Sequence, residues 1–315
     1  MRRHLGFFLT MATPPQARRI LTTSEGVNRD AFSVFDWTLF VSVSLIWGSS
    51  FLLMAIGLEA FEPGLITVLR VGLGAGALWL VPKARATRIE RADWPRLVAL
   101  SFLWVAIPFT LFPIAQQYIN SAIAGMLNGA MPIFAAVVAA MMLRRLPRGA
   151  TIAGLVIGFL GVVAISAPSI GQGSAETLGV VLVVLATVCY GISVNIAAPI
   201  QQQYGSIPVM ARMLALATVW TAPLGIVATT GSTFEWGPFI AVAVAGVVGT
   251  GIAFVIMGSL VGRVGSTRAS FITYVIPVVA LVLGVAFRGD VVAPIAVVGV
   301  VMVISGAFLA SRRDT

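Results

Sequence analysis

The stretch LIWGSSFLLMAIGLEAFEPGLITVLR, residues 45–70, contains two apolar segments separated by a short polar turn. The first segment stops at Glu59, and the chain turns through Glu62-Pro63-Gly64 before the second segment begins. Pro and Gly beside charged residues mark the break between two regular elements. The stretch therefore predicts two apolar helices joined by a tight turn, and it places one charged residue, Arg70, inside the second helix.

The composition of the whole chain indicates a membrane protein. Of its 315 residues 59% are hydrophobic and 10% are charged, and the mean hydropathy is +1.01. Soluble domains carry about a quarter charged residues. The apolar runs are long enough to cross a bilayer as helices, which takes about 20 residues. The one cysteine, Cys189, provides neither a disulfide framework nor a thiolate metal site.

Breaks rich in Pro, Gly and charge divide the chain into ten predicted transmembrane helices. The fold class expected is thus an all-α membrane protein. The predicted spans are 37–58, 63–82, 96–118, 121–143, 150–167, 177–199, 208–229, 238–261, 268–287 and 291–310.

The positions of the basic residues predict the orientation. If the N-terminus is cytoplasmic, 17 of the 20 Lys and Arg residues lie in cytoplasmic segments, Arg288 alone lies outside, and Arg70 and Arg212 lie within spans. Basic residues are retained on the cytoplasmic side of membranes. Both termini are therefore expected to be cytoplasmic, and the location to be the inner (cytoplasmic) membrane. The basic pI therefore reflects the basic residues of the cytoplasmic segments, which could also attract anionic lipid. No nucleic-acid partner is expected.

Residues 1–36 precede the first span. Their basic start and short apolar run resemble a weak signal sequence, but the run is too short to span, and a polar cytoplasmic tail is the preferred interpretation. The sequence does not distinguish Met1 from Met11 as the start. His4, the only histidine, lies in this tail and is not expected to be a ligand or a base.

The two halves of the chain repeat one pattern. Shifts of 141 to 145 residues align helices of the first half with helices of the second. The aligned pairs include Arg70 with Arg212, Trp47-Gly48 with Tyr190-Gly191, Ser121 with Ser266, Pro132 with Pro277, and Gly154 with Gly299. Each copy has five spans, an odd number, so the second copy enters the membrane from the opposite side. Inverted repeats at 37–167 and 177–310 are the architecture of many secondary transporters, with the substrate site near midplane.

These residues resemble the drug/metabolite transporter superfamily, EamA type. The resemblance rests on WGSSF from Trp47, on Pro63 followed by Arg70, on SAIAGMLNGAMPIFAAVVAAMML at 121–143 and on GLVIGFLGVVAIS at 154–166. It implies a ten-helix carrier of small metabolites such as amino acids, amines or nucleotide precursors, usually moved outward. It does not identify the substrate.

The spans lack the charged groups of a proton relay. All eleven acidic residues fall in a tail, a loop or a helix end. Without an interior Asp, Glu or His, both the usual midplane relay and the counter-ion for a permanent cation are missing. The expected function is therefore export of small neutral or zwitterionic, amino-acid-like metabolites by alternating access. No catalytic or metal motif is present, so neither enzyme activity nor a cofactor is expected.

Arg70 and Arg212 have two interpretations. In the structural one, each anchors the start of the second helix of its repeat near a membrane face, with Glu59 or Glu62 as a partner for Arg70. In the functional one, either arginine binds a substrate carboxylate, which gives the alternative function of a carrier or exchanger of an anionic metabolite. The structural interpretation is preferred, because the pair is predicted to lie toward the membrane faces.

The substrate site is expected among uncharged polar and aromatic side chains. Asn128 and Thr273 each precede a mid-span proline by four residues, and Pro132 and Pro277 should each free the carbonyl at that position and act as hinges. The full predicted set is Trp47, Ser50, Asn128, Tyr190, Asn195 and Thr273. Packing between helices is the alternative for each of them.

Three function classes remain open at this stage. The metabolite exporter and the anion exchanger are carriers, and the third is a membrane sensor or assembly factor that transports nothing. A sensor should carry a substantial soluble domain, and no loop is large enough for one. The expected partners are a small-molecule metabolite and the lipid bilayer, and the protein is expected to be a monomer or a homodimer.

Overall fold

The computed structural model of the chain describes residues 32–143, 149–264, 269 and 271–310. This part of the chain contains ten apolar helices, labelled α1 to α10. Two of them, α3 and α8, contain a π-helical segment, and α4 is interrupted by a turn. The bounds are α1 Val34–Gly57; α2 Pro63–Trp79; α3 Trp94–Leu100, Ser101–Ala106 (π) and Ile107–Ala115; α4 Ser121–Asn128 and Met131–Leu143; α5 Gly149–Ile170; α6 Ser174–Tyr204; α7 Ser206–Ala228; α8 Trp236–Gly246, Val247–Ile252 (π) and Ala253–Val264; α9 Ile272–Arg288; and α10 Pro294–Ala310.

The prediction of an all-helical membrane fold is confirmed for the described residues. Seven of the ten helices are long and apolar enough to cross a membrane. The other three, α2, α9 and α10, are shorter apolar helices of 17 residues. Such a helix is about 25 Å long, whereas the hydrocarbon core is about 30 Å thick. The count of ten transmembrane spans therefore stays a prediction, as do the tail assignment and the start residue, which fall on residues 1–31 outside the described part.

Local sequence accounts for the starts of the first two helices. Ser33 and Asp36 form a capping box: the Asp36 amide donates to Ser33 Oγ at 3.2 Å, and the Ser33 amide donates to Asp36 Oδ2 at 3.0 Å. These bonds satisfy amides that have no partner inside the helix. Pro63 is the first residue of α2, where its missing N–H costs no helical hydrogen bond.

The packing of the helices has the symmetry of a repeat. α1 packs against α8 and α9, and α6 packs against the equivalent helices α3 and α4. The pairs α2–α7, α4–α9 and α5–α10 each join a helix to its own counterpart in the other half. Exchanging the halves therefore leaves this pattern of neighbours unchanged, as expected for two inverted five-helix repeats.

The two ends of the helix bundle carry opposite charge. Loops and helix ends at one end hold Glu59, Glu62, Glu176, Glu235 and Asp290 against a single basic residue, Arg288, and we call it the acidic end. The other, the basic end, holds Arg263 and the basic residues of 82–96. Backbone contacts such as the Thr233 amide donating to the Ala60 carbonyl at 2.9 Å join the loops of the two halves at the acidic end.

Candidate functional site

Arg70 lies at the middle of α2 and is buried among three other helices. Its side chain is 7% exposed. The Nε atom donates to Thr250 Oγ1 of α8 at 3.4 Å, and Nη1 donates to the sulfur of Met54 of α1 at 3.1 Å. The guanidinium carbon lies 4.4 Å from the ring centre of Phe109 of α3. A cation over an aromatic face is attracted by the ring quadrupole, which partly offsets the loss of water.

The carboxylate partners predicted for Arg70 are not found among the described contacts, and its position relative to a membrane face stays a prediction. Among the described residues neither Glu59 nor Glu62 forms an ion pair with Arg70. Glu59 pairs with Arg288, and the Glu62 backbone amide donates to Ser232 Oγ at 2.9 Å. Within the described residues no carboxylate forms an ion pair with Arg70. Pro63 at the start of α2 is itself buried. Arg70 is thus a buried cation held by neutral groups.

A π-helical segment of α8 links Arg70 to two of the predicted site residues. Trp47 Nε1 donates to the Gly249 carbonyl at 3.1 Å, and its ring packs edge-on against Phe254. Ser50 is 4% exposed, and a Cβ added at Gly249 would lie 3.2 Å from its Oγ. The next residue, Thr250, is the one that accepts from Arg70. Single π turns are rare and frequently lie at functional sites.

An aromatic cluster continues from Arg70 toward the other half of the molecule. Phe112, one turn after Phe109, stacks on Tyr190 of α6 with ring centres 5.9 Å apart. It also packs edge-on against Phe51 at 5.5 Å. We call Phe51, Phe109, Phe112 and Tyr190 the aromatic cluster. Tyr190 belongs to the predicted site, whereas the three phenylalanines were not predicted.

Asn128 of α4 has an unpaired oxygen and lies one turn after Gly125, which packs on the cluster. Its Oδ1 atom is buried and has no hydrogen-bond partner among the described residues. Gly125, one turn before Asn128, packs so closely on Phe51 that an added Cβ would lie 3.1 Å from that ring. Buried polar atoms are nearly always hydrogen-bonded. An acceptor left open here is suited to a donor supplied by a ligand.

Asn195 and Thr273 have different surroundings. Asn195 Nδ2 donates to the Ala135 carbonyl of α4 at 3.0 Å and to the Gly191 carbonyl of its own helix at 2.9 Å. The first of these bonds joins α6 to α4, as in the packing alternative. Thr273 is half-buried in the first turn of α9. The described contacts link neither residue to Arg70, so their membership of the site stays a prediction.

The two predicted hinge prolines are not alike in the structure. α4 stops at Asn128 and resumes at Met131, directly before Pro132. α9 runs without interruption from Ile272 to Arg288 and includes Pro277. A break therefore accompanies the proline in the first repeat only, although the two positions align in the sequence.

Arg212, the repeat counterpart of Arg70, lies at the basic end. Its Nη2 donates to the Thr87 carbonyl at 2.7 Å, and its Nη1 donates to the carbonyls of Ala84 at 2.8 Å and Pro208 at 3.1 Å. The side chain is half-buried. Arg212 thereby fixes the short helix Pro82–Ala86 against the start of α7, outside the central cluster.

The charge of the central site suits an organic anion. The residues around Arg70 are neutral, and the described part of the chain contains no group of His, Cys, Asp and Glu that could hold a metal ion. The Asp36 carboxylate accepts from Arg263 Nε at 2.5 Å in the first turn of α1, far along the helix from Met54. What the centre provides is one cation, hydroxyl and amide groups, and aromatic faces.

Known proteins resemble the chain over most of its length. It is 24% identical over 277 residues to an uncharacterized transporter of Archaeoglobus fulgidus, a match that covers 88% of this chain and 99% of the relative. It is 26% identical over 281 residues to a protein of Streptantibioticus cattleyicolor named as a probable terminal-alkyne amino-acid exporter, covering 88% and 93%. A crystal structure with 19% identity superposes with a TM-score of 0.61 and covers 87% of this chain and 96% of the other, which shows a shared fold.

A family model also matches the chain twice, once in each half. The matched residues are 37–167 and 177–312, and the model is that of the EamA-like transporter family. Together with the relatives, these matches indicate a membrane transporter of small metabolites and not an enzyme. The chain belongs to the EamA-like transporter family.

Proposed function

We propose that this protein exports small zwitterionic or neutral, amino-acid-like metabolites across the cytoplasmic membrane by alternating access. The observation that carries the proposal is Arg70, a residue that is only 7% exposed and whose guanidinium has no carboxylate partner among the described residues. A buried charge is costly unless it is paired. A substrate carboxylate would supply the missing partner at the middle of the bundle.

The geometry around Arg70 favours a planar anion. Its Nε and Nη1 atoms contact only a hydroxyl at 3.4 Å and a sulfur at 3.1 Å, both weak partners for a cation. Arginine forms paired hydrogen bonds with a carboxylate, and these are roughly twice as strong as bonds between neutral groups. The functional interpretation of Arg70 is therefore the one that we adopt.

The other end of a zwitterion needs an acceptor for its ammonium group. Asn128 Oδ1 is buried and unpaired within the described residues, on the α4 side of the aromatic cluster. The stacked rings of Phe112 and Tyr190 add faces that attract cations. A compound with a carboxylate toward Arg70 and an amine toward Asn128 would satisfy both groups. Trp47 and Ser50 would line the same site beside the π-helical segment of α8.

The repeats provide a mechanism for exposing such a site to each side in turn. Because the two halves have equivalent neighbours, exchanging their conformations converts a state open at one end into a state open at the other. The amino-acid exporter named among the relatives agrees with this substrate class. Outward direction, the cytoplasmic membrane and the cytoplasmic termini belong to the proposal.

One alternative substrate class shares the same cation. A simple organic anion would also pair with Arg70, which keeps the exchanger of anionic metabolites as the second candidate. The two candidates differ at Asn128, because an anion without an amine leaves its oxygen unpaired.

Counterflow in proteoliposomes tests the substrate class. Purified protein is reconstituted with an unlabelled amino acid inside, and labelled neutral amino acids, the matching monocarboxylates and the matching primary amines are offered outside. The proposal predicts exchange of the amino acids and little exchange of the amines, which lack the group that pairs with Arg70. Exchange of monocarboxylates in preference to amino acids would support the second candidate. Exchange of amines alone would contradict both.

A further inference from the structure

A second cationic site lies at the basic end, away from the central cluster. A cavity of about 450 Å³ is lined there by Arg88, Ile89, Arg91, Trp94 and Arg212. Three of these five residues are arginines, and no carboxylate lines the cavity. The first three belong to the segment between α2 and α3, Trp94 is the first residue of α3, and Arg212 belongs to α7, so both halves of the molecule contribute.

The three arginines carry charge that the surrounding chain does not neutralise. The described hydrogen bonds of Arg212 are all donated to main-chain carbonyls, which are neutral. Arg88 and Arg91 are exposed, and neither forms an ion pair within the described residues. The nearby Asp93 carboxylate is directed elsewhere: it accepts from Tyr204 at 2.7 Å and pairs with Arg96 at 3.7 Å.

The position of the cavity is that of a lipid headgroup. It lies where apolar helices end, and Trp94 beside it is 40% exposed. Exposed tryptophan is typical of the membrane–water interface, and basic pockets between helices on the cytoplasmic side bind anionic headgroups. Guanidinium groups match the geometry of phosphate oxygens. The apolar wall formed by Ile89 and Trp94 suits the glycerol and upper acyl region that accompany such a phosphate.

We propose that Arg88, Arg91 and Arg212 bind a phosphate group, and that an anionic phospholipid of the surrounding leaflet supplies it. The site is separate from the proposed substrate site, since Arg70 contributes to the latter alone. Its occupant bridges the segment 82–94 of the first repeat and α7 of the second. Phosphatidylglycerol, which carries one negative charge at its phosphate, is a suitable probe.

The experiment compares two double variants of the full chain with equal loss of charge. Arg88→Gln with Arg91→Gln removes two residues of the cavity and leaves Arg212, which holds the loop, in place. Lys83→Gln with Arg85→Gln removes two exposed basic residues of the same segment that do not line the cavity. Each protein is titrated with phosphatidylglycerol in phosphatidylcholine micelles, and bound lipid is counted by native mass spectrometry.

The proposal predicts that the cavity variant binds phosphatidylglycerol about 10- to 30-fold more weakly than the unmodified protein. In the control variant, the fold-weakening of phosphatidylglycerol binding should be less than one third of that in the cavity variant. Equal losses in the two variants would mean diffuse surface attraction and would overturn the proposal. If millimolar inorganic phosphate displaced the bound phosphatidylglycerol, the three arginines would still form a phosphate site. The occupant would then be a soluble anion, and the assignment to a phospholipid would be overturned. Binding of phosphatidylglycerol that is unchanged in the cavity variant would also overturn it.

Discussion

The guanidinium of Arg70 lies 4.4 Å from the centre of the Phe109 ring. Arg212, which aligns with Arg70 in the other repeat, instead donates to a loop carbonyl. The two arginines occupy equivalent positions in the repeats, yet one is buried at the middle of the bundle and the other lies near its end. The arginine is thus present in both repeats, but its different surroundings give it a different role in each. In our proposal Arg70 receives the substrate anion, whereas Arg212 holds loop carbonyls beside the proposed phosphate site.

Two asparagines of the predicted site should respond to truncation in opposite ways. Asn195→Ala removes one hydrogen bond between α6 and α4 and one within α6. It should lower the free energy of unfolding by about 1–2 kcal/mol. Asn128→Ala removes an oxygen that has no described partner, so stability should change by less than about 0.5 kcal/mol.

Transport should show the reverse order for these variants. The half-saturating concentration of an amino acid should rise about 10-fold in Asn128→Ala, because the ammonium loses its acceptor. It should change little in Asn195→Ala once protein amounts are matched. Thermal stability in detergent and counterflow kinetics provide the two measurements. A strongly destabilised Asn128→Ala with normal substrate affinity would assign that side chain to packing.

The ion pair between Glu59 and Arg288 is expected to hold the acidic end closed. It joins the end of α1 to the end of α9, and thus the first repeat to the second. Gln116, whose amide atoms are buried without a described partner, lines the 320 Å³ cavity beside it. Both members of the pair are partly exposed, so the pair contributes about 0–1 kcal/mol.

Breaking this pair should raise access to Gln116 measurably, by up to about five-fold. The measurement is the rate at which an impermeant maleimide labels Gln116→Cys in a Cys189→Ala background, with and without Glu59→Gln. The double exchange Glu59→Arg with Arg288→Glu should restore the original rate. An unchanged rate in Glu59→Gln would show that the pair does not restrain this end.

Transport is expected to be independent of an imposed pH gradient. The described acidic residues lie at the two ends of the bundle or in a first helical turn, and the only histidine is His4. A proton-coupled carrier ordinarily needs a titratable group that faces each side in turn. Net flux in proteoliposomes should follow the substrate gradient alone. Accumulation against that gradient when only a pH difference is applied would contradict this expectation and direct attention to Glu59 and Glu62.

The orientation of the chain gives another direct test. The basic segment 83–95 should face the cytoplasm together with the C-terminus, because basic residues are retained on that side. Reporter fusions within 83–95 and after Thr315 should both give a cytoplasmic signal. A periplasmic signal from either fusion would contradict the ten-span topology and exchange the predicted sides of the acidic and basic ends.

The broad fold was predictable because hydropathy and turn residues act locally. Pro63 marks the first residue of α2, and the break after Glu59 follows from charge at the end of an apolar run. The depth of Arg70 was not predictable in this way. Its distance from Pro63 is fixed by the sequence, but whether water reaches it depends on how other helices cover the start of α2, which is a tertiary property.

The π-helical segments were missed for a similar reason. Residues 247–252 are all small or apolar. The extra residue in the π-helical turn therefore does not change the pattern of polar and apolar residues along the helix. This segment nonetheless positions Gly249 and Thr250 against Trp47 and Arg70. Phe109 and Phe112 were likewise hidden among many apolar residues, since only their contacts distinguish them from lipid-facing side chains.

Counterflow by Arg70 variants tests the central claim most directly. Arg70→Lys keeps the charge but loses the planar fork, Arg70→Gln loses both, and Arg85→Lys is the control for an exposed arginine of the same protein. With equal amounts reconstituted, Arg70→Lys should reduce amino-acid counterflow at least 10-fold and Arg70→Gln should reduce it further, because a charge-assisted bond contributes about 1.5–3 kcal/mol. Arg85→Lys should transport normally. Folded Arg70→Gln protein that exchanges amino acids at the unmodified rate would contradict the claim that this guanidinium binds the substrate.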